Sequence, residues 1–247
     1  MITLLSLNIE YDMHCDAVKE LLRKHQPDLF CFQEVPEYLA KDFALLLGYE
    51  WRYVNMARSI PHAQDKEINI GIMIAWNPRF DVLAESIDVY SDGDTRSPVW
   101  TRKYPNAAKR IFLSVELQNG KDVFRVGTTH FMWTPDGNAS EEQHVDMKAL
   151  LGVLEKFHDT KGIIFCGDFN APRGGEIFGL LSGGGYRDNL PYNIVTTLDQ
   201  QLHRMAPLLL VVDNIFSTKE YNVDHVNVVR GVSDHVALFA QVSKSVC

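Results

Sequence analysis

Gly162-Ile163-Ile164-Phe165-Cys166-Gly167-Asp168-Phe169-Asn170 is an apolar run that ends on a carboxylate and an amide. Positions 163–166 carry no charged or amide side chain, the pattern of a strand buried on both faces. The chain then passes through Gly167 into Asp168 and Asn170, side chains that core packing does not require. Asp and Asn also end strands for local turn hydrogen bonds, so one such site decides nothing. The same punctuation recurs at Leu7-Asn8, Phe32-Gln33-Glu34-Val35, Thr129-His130 and Ser233-Asp234-His235. Five strand ends that mix oxygen ligands with two imidazoles point to a polar site built at one rim of a buried sheet.

Outward from that run, the elements alternate. Ile2–Leu7 and Leu29–Phe32 are strand-like, and between them Ala17, Val18, Leu21 and Leu22 recur at helical spacing. Leu39, Phe43, Leu46 and Leu47 predict a second helix stopped by Gly48. Strands are expected over Ile68–Trp76, Asp81–Val89, Leu208–Phe216, Tyr221–Val229 and Val236–Val242. Ile111–Leu117, Asn119-Gly120 and Val123–Thr129 predict a hairpin. Ser140 is placed to cap a helix carrying Leu150, Leu151, Leu154 and Phe157, and Asp12, His14 and Asp16 to cap the first. Strands outnumber helices, there is no repeat or linker, and Gly183–Gly185 suits a tight loop. The expectation is an α/β chain of two packed sheets covered by helices, one domain over residues 1–247.

Composition limits the function. The hydrophobic fraction is 46% and the charged fraction 23%, ordinary for a chain with a substantial core. No apolar run reaches membrane-spanning length, and Met1–Glu10 lacks a basic leader and a cleavage site. Cys15, Cys31, Cys166 and Cys247 match no zinc spacing and are too sparse for a disulfide framework, which implies a reduced, cytoplasmic protein. The net charge of −8 argues against a broad electrostatic grip on a polyanion. One local exception is the segment Arg96–Arg110, where Arg96, Arg102, Lys103, Lys109 and Arg110 surround Trp100 and Tyr104. It is either a solvated basic loop or a substrate-facing one.

Glu34, Asp168, Asn8 and Asn170 are hard oxygen donors, suited to magnesium or manganese (Mg2+ or Mn2+) and not to zinc. Magnesium binds through one or two carboxylates plus substrate phosphate, about what this set offers.

Taken in order, Asn8, Gln33-Glu34, His130, Gly167-Asp168-Phe169-Asn170, Asp213 and Ser233-Asp234-His235 resemble the endonuclease/exonuclease/phosphatase superfamily, from the first strand to the last. The resemblance implies a four-layer α/β sandwich of two mainly antiparallel sheets packed face to face, helices outside. It also implies a divalent-metal-dependent phosphoester hydrolase, a phosphodiesterase or phosphatase. Glu34 would be the principal metal ligand, with Asn8 beside it and Asp234 in the outer shell. Asp168 would orient or deprotonate the attacking water, and Asn170 would hold water or phosphate. His235, oriented by Asp213, and His130 would donate to phosphoryl oxygens, with the proton carrier left open between them. Arg110, Arg102 and Trp100 are the candidate substrate contacts. Thr196-Thr197-Leu198-Asp199-Gln200 resembles a Thr-Trp-Asp segment of tyrosyl-DNA phosphodiesterase relatives with Leu198 in place of the aromatic. His144, His158 and His203 are expected to be ordinary surface or helix residues.

Substrate class is where the motifs stop, since one core serves many phosphoesters. A phosphodiester in nucleic acid or a nucleotide-like molecule is the leading expectation, from the cationic-aromatic loop. A phospholipid or phosphoinositide phosphoesterase is the alternative. A non-catalytic binding module would have lost Glu34, Asp168 or His235, and none is lost.

Overall fold

The computed structural model of the protein describes residues 1–60, 66–101, 103–159 and 161–245. Among them the order is β1 (Ile2–Asn8), α1 (Cys15–His25), β2 (Leu29–Pro36), α2 (Glu37–Leu45), β3 (Glu50–Ser59), β4 (Ile68–Trp76), β5 (Asp81–Ser91), β6 (Val99–Trp100), β7 (Arg110–Asn119) and β8 (Asp122–His130). There follow α3 (Glu141–Leu154), β9 (Ile164–Asp168), α4 (Glu176–Gly183), β10 (Arg187–Asp188), β11 (Asp213–Ser217), β12 (Tyr221–Val229) and β13 (Ala237–Lys244).

The strands form two mixed sheets, ordered β12-β13-β1-β2-β4-β3-β6 and β10-β11-β9-β8-β7-β5. Pairing is antiparallel except at β1–β2, β3–β6 and β8–β9. Strand alternation explains the layers. Ile2 and Leu4 of β1, Leu29 and Cys31 of β2, and Ile72 and Ile74 of β4 meet Leu113, Val115, Ile164, Cys166 and Ile215 of the other sheet in a central core. The intervening residues face outward. Leu5, Leu7, Phe30, Phe32 and Met73 are covered by Val18, Leu21 and Leu22 of α1 and by Leu39 and Phe43 of α2. Phe112, Phe165 and Phe216 are covered by Met147, Leu150 and Leu154 of α3 and by Ile177, Phe178 and Leu181 of α4. Each large side chain so buried contributes about 1.5–3 kcal/mol. The result is the expected four-layer sandwich. Cys31 and Cys166 behave as small hydrophobes of the central core, and Cys247 lies outside the described residues.

Local expectations fail where a competing contact wins. The strand expected over Leu208–Phe216 begins only at Asp213, because the carbonyls of Leu210, Val211 and Val212 accept from Thr197, Arg173 and Phe169, outside any ladder. β3 and α4 escaped notice, one for its mixed polarity and the other for its shortness and its Gly179. Ser140 caps α3 by accepting from the Gln143 N–H at 3.2 Å. None of Asp12, His14 and Asp16 caps α1 through its side chain: His14 occupies the N-cap position without a side-chain bond. Asp12 instead accepts from the Tyr38 hydroxyl at 2.9 Å, and His14 turns to Glu10. Among the described residues no helix is long and apolar enough to cross a membrane.

The fold brings the polar strand ends together through register. Asn8 pairs with Gln33, His130 with Asp168, and Asp168 with Asp213.

Candidate active site

Three local devices aim the side chains. The β2–β4 register shifts between Phe32 and Val35, and Glu34 sits in this bulge at a φ of 55°, in the left-handed region unusual for a non-glycine residue. The bulge lets Gln33 reach across to the other sheet, its Nε2 donating to Thr128 Oγ1 at 3.0 Å. Gly167 lies where β9 crowds β8, and a Cβ there would come within 2.0 Å of the Thr129 carbonyl oxygen, so only glycine fits before Asp168. Asn170, also left-handed at φ 47°, donates its N–H to Asp168 Oδ1 at 2.8 Å and fixes that carboxylate.

Asp168 is the hub. Its Oδ2 accepts from Asn8 Nδ2 at 3.1 Å and lies 3.6 Å from His130 Nε2 and 3.8 Å from His235 Nε2. Asn8 also donates to Glu34 Oε1 at 3.1 Å, while its own oxygen accepts from the Glu10 N–H. It is therefore the amide nitrogen of Asn8, and not its oxygen, that faces the carboxylates. Asn170 Nδ2 stands 3.1 Å from His130 Nε2 and donates to the Phe131 carbonyl. His235 Nδ1 is 2.8 Å from Asp213 Oδ2, which sets its free nitrogen toward Asp168.

The two imidazoles are opposed in charge. Burial, with Arg110 and His235 adding to it against Asp168, pushes His130 down to about 4. Burial also works against charge on His235, yet Asp213, Asp168 and Asp234 together hold it well above the usual imidazole value. Burial pushes the Glu34 carboxyl up to about 8, helped by Asp234 and Asp168 and opposed by Asn8 and His235. Burial likewise raises Asp234, whose charge Glu10 opposes. Buried carboxylates crowded beyond what one amide and one imidazolium can balance form a donor set suited to a divalent cation. Oxygen and nitrogen atoms of Asp168, Asp213 and His235, mutually within 4.8 Å, could also hold an ion. There the short Asp213–His235 bond already occupies one nitrogen, so the Glu34 side is the better seat.

The candidate substrate contacts fare unequally. Trp100 lies at the site, its ring centroid 5.6 Å from that of His130 and 5.9 Å from that of Tyr11. Arg110 does not reach outward as expected. It is 1% exposed, and its guanidinium donates to the His130 and Phe131 carbonyls and to Asn106 Oδ1, because opening β7 in register beneath β8 leaves it facing the interior. Arg102 lies outside the described residues. Arg96 is paired with Asp94, so the basic segment is not one coherent patch.

Several neighbours take roles that their sequence context does not announce. Thr197 Oγ1 accepts from both the Val212 and Asp213 N–H groups, at 2.9 and 3.0 Å, and Val236 N–H donates to the Thr197 carbonyl. It thus ties the strand of Asp213 to the segment of His235. Half-buried Tyr11 is held protonated by desolvation and by Glu34. Glu10, 7% exposed, receives His14 and Arg204. His203, expected on the surface, is half-buried with its ring centroid 6.2 Å from that of His235. Glu10 stands just past the end of β1, in a left-handed turn, with its N–H on Asn8 Oδ1.

A family model described as the Endonuclease/Exonuclease/phosphatase family matches residues 5–235. The chain is similar to the CCR4-Not complex 3'-5'-exoribonuclease subunit Ccr4 of Debaryomyces hansenii, 22% identical over 200 residues, covering 71% of this chain and 24% of that protein. It therefore spans about a quarter of the length of that relative. Among solved structures, it resembles an endonuclease/exonuclease/phosphatase family protein from Leptotrichia buccalis at TM-score 0.74 and 18% identity, over 98% of this chain and 100% of the other. It also resembles a mannosyl-6-phosphatase from Bacteroides thetaiotaomicron at TM-score 0.70 and 16% identity, over 98% and 100%.

Proposed function

The chain belongs to the endonuclease/exonuclease/phosphatase family, and from that premise we propose that it is a divalent-metal-dependent hydrolase of a phosphodiester in nucleic acid or a nucleotide-like molecule. One observation carries the hydrolase reading: Asp168 Oδ2 lies between two imidazole nitrogens of opposite charge preference, beside the raised carboxyl of Glu34.

Glu34 would hold the metal, magnesium or manganese, and Asp234 would stand in its outer shell. Asn8 sets the spacing between Glu34 and Asp168. When bound, the ion supplies positive charge to the phosphoryl oxygens. Asp168 accepts a hydrogen bond, and then a proton, from the attacking water. Asn170 keeps that water and His130 in place. His235, charged and held by Asp213, donates from Nε2 to a phosphoryl oxygen as negative charge develops there. His130 stays neutral at pH 7 and serves as a polar wall. Trp100 offers a flat face to a base. The sequence similarity to an exoribonuclease subunit and the aromatic wall support the nucleic-acid side of the reading.

Turnover of bis(p-nitrophenyl) phosphate, p-nitrophenyl phosphate, short oligonucleotides and sugar phosphates, each with magnesium, manganese, calcium or chelator, tests this. Chelator-sensitive cleavage of diesters ahead of monoesters is expected. Cleavage of sugar phosphates alone would replace the substrate class with a monoester, and no cleavage of any would favour a binding module.

A further inference from the structure

We propose that Arg204, braced on Glu10, receives a second phosphate of the substrate, the one next to that being hydrolysed. The inference rests on the phosphodiester reading above and names what that substrate must carry.

Glu10 is buried at the rim in a left-handed conformation, φ 49°. Its Oε1 accepts from Arg204 Nη2 at 2.7 Å and its Oε2 lies 3.0 Å from His14 Nε2. The carboxylate thus holds one edge of the guanidinium. Among the described residues the remaining N–H groups of Arg204 have no protein acceptor, and its side chain is 45% exposed. A guanidinium fixed on one edge and open on the other is prepared for a bidentate grip on phosphate.

Its backbone is fixed too. Asp199 Oδ1 accepts from the Gln201 and Leu202 N–H groups, and Asp199 Oδ2 from Gly231 N–H at 2.7 Å. The Asp199 N–H donates to the carbonyl of Asp234, one residue before His235. His203 packs against the His235 ring. Arg204 is therefore carried by a loop sewn to the segment that bears the reacting imidazole. The Glu10 N–H donates to Asn8 Oδ1 at 3.1 Å, and Asn8 Nδ2 in turn donates to Glu34 and Asp168, so the carboxylate that braces Arg204 is tied to the site through Asn8. The site already gathers Glu10, Glu34, Asp168, Asp213 and Asp234, so a second substrate anion needs a cation at this rim. Arg110 cannot supply it, being locked on carbonyls below.

The test compares thymidine 5′-(p-nitrophenyl phosphate) with its 3′-phosphorylated form. Wild type should favour the 3′-phosphorylated substrate. Arg204→Ala should cut that preference by about tenfold or more, the scale of a lost charge-assisted bond, mainly through KM. Arg204→Lys should keep part of it, and added salt should shrink the difference. A wild type without preference, or an Arg204→Ala that slows both substrates equally, overturns the proposal. If wild type cleaves neither, the phosphodiester reading fails, and calorimetric binding of pyrophosphate against orthophosphate decides the inference by itself. Selective weakening of pyrophosphate by Arg204→Ala upholds it, and equal weakening of both anions refutes it.

Discussion

The end of β8 and the segment before β13 each bring a buried imidazole to the same oxygen of Asp168, and they are nearly equidistant from it, at 3.6 and 3.8 Å. His130 is nonetheless driven toward the neutral form and His235 toward the charged one. Burial presses both the same way, so the difference comes from the second partner. His235 has Asp213 at 2.8 Å on its other nitrogen. His130 has the Arg110 guanidinium beneath it, fixed on its own carbonyl. A carboxylate on one side and a guanidinium on the other turn one residue type into two reagents.

The contrast has opposite signs in stability. His235, raised when folded, stabilises the chain fully below its unfolded value near 6.5, and that contribution is lost as pH climbs through the folded value. His130, lowered when folded, costs nothing above 6.5, and stability is lost as pH falls toward about 4.

The largest expected effect separates the two directly. His235→Ala should lower kcat by roughly a hundredfold or more, and His130→Ala distinctly less. Equal losses in folded variants would break the asymmetry. Asp213→Asn sharpens it: without that charge His235 loses its proton at lower pH, so the alkaline limb of the kcat/KM profile should move downward. A limb that stays in place removes Asp213 as the cause.

Glu34→Gln should also depress turnover, on the order of tenfold to a hundredfold, with partial recovery at high magnesium or manganese. Its stability should move the other way. The Glu34 carboxyl, raised to about 8, contributes stability below its unfolded value near 4.3, and that is lost as pH rises through 8. In chelator at pH 9 the variant should therefore be more stable than wild type by roughly 2–4 kcal/mol, and the gap should close toward pH 5. Urea denaturation across pH reads this; a variant less stable at pH 9 would mean that the crowding of Glu34, Asp234 and Asp168 is not repulsive.

Thr197→Val removes the oxygen that accepts from Val212 and Asp213. About a tenfold loss in kcat is expected, the scale of one or two hydrogen bonds, together with a downward shift of the alkaline limb as Asp213 loosens. Thr197→Ser should restore both. A loss that serine does not repair would point to packing. The smallest effect is Trp100→Ala, a few-fold rise in KM for base-containing substrates, measured against bis(p-nitrophenyl) phosphate; equal changes on both would remove Trp100 from base recognition.

Much of this was written along the chain. Continuous apolar runs such as Ile163–Cys166 imply strands buried on both faces, and the three outward phenylalanines 112, 165 and 216 need a helix layer above them. Asp168, Asn170, Glu34 and His235 stand where strands emerge, and a strand end is visible in one dimension. Arg110 shows the limit: its sequence neighbours are basic, but it pairs with Ser91 at the start of β7 and is buried with its guanidinium on the His130 carbonyl. Thr197, His203 and Arg204 lie in an irregular segment with no periodicity to betray which way each side chain faces.

Residue type and strand periodicity depend only on neighbours along the chain, so the sequence by itself determined the layers, the polar strand ends and the chemistry available there. The charge each imidazole carries, the open edge of Arg204 and the inward turn of Arg110 depend on groups brought near from distant positions, such as Asp213 beside His235 and Glu10 beside Arg204. Electrostatic interaction falls with distance in space and takes no account of separation along the chain, which is why only the tertiary structure decided them.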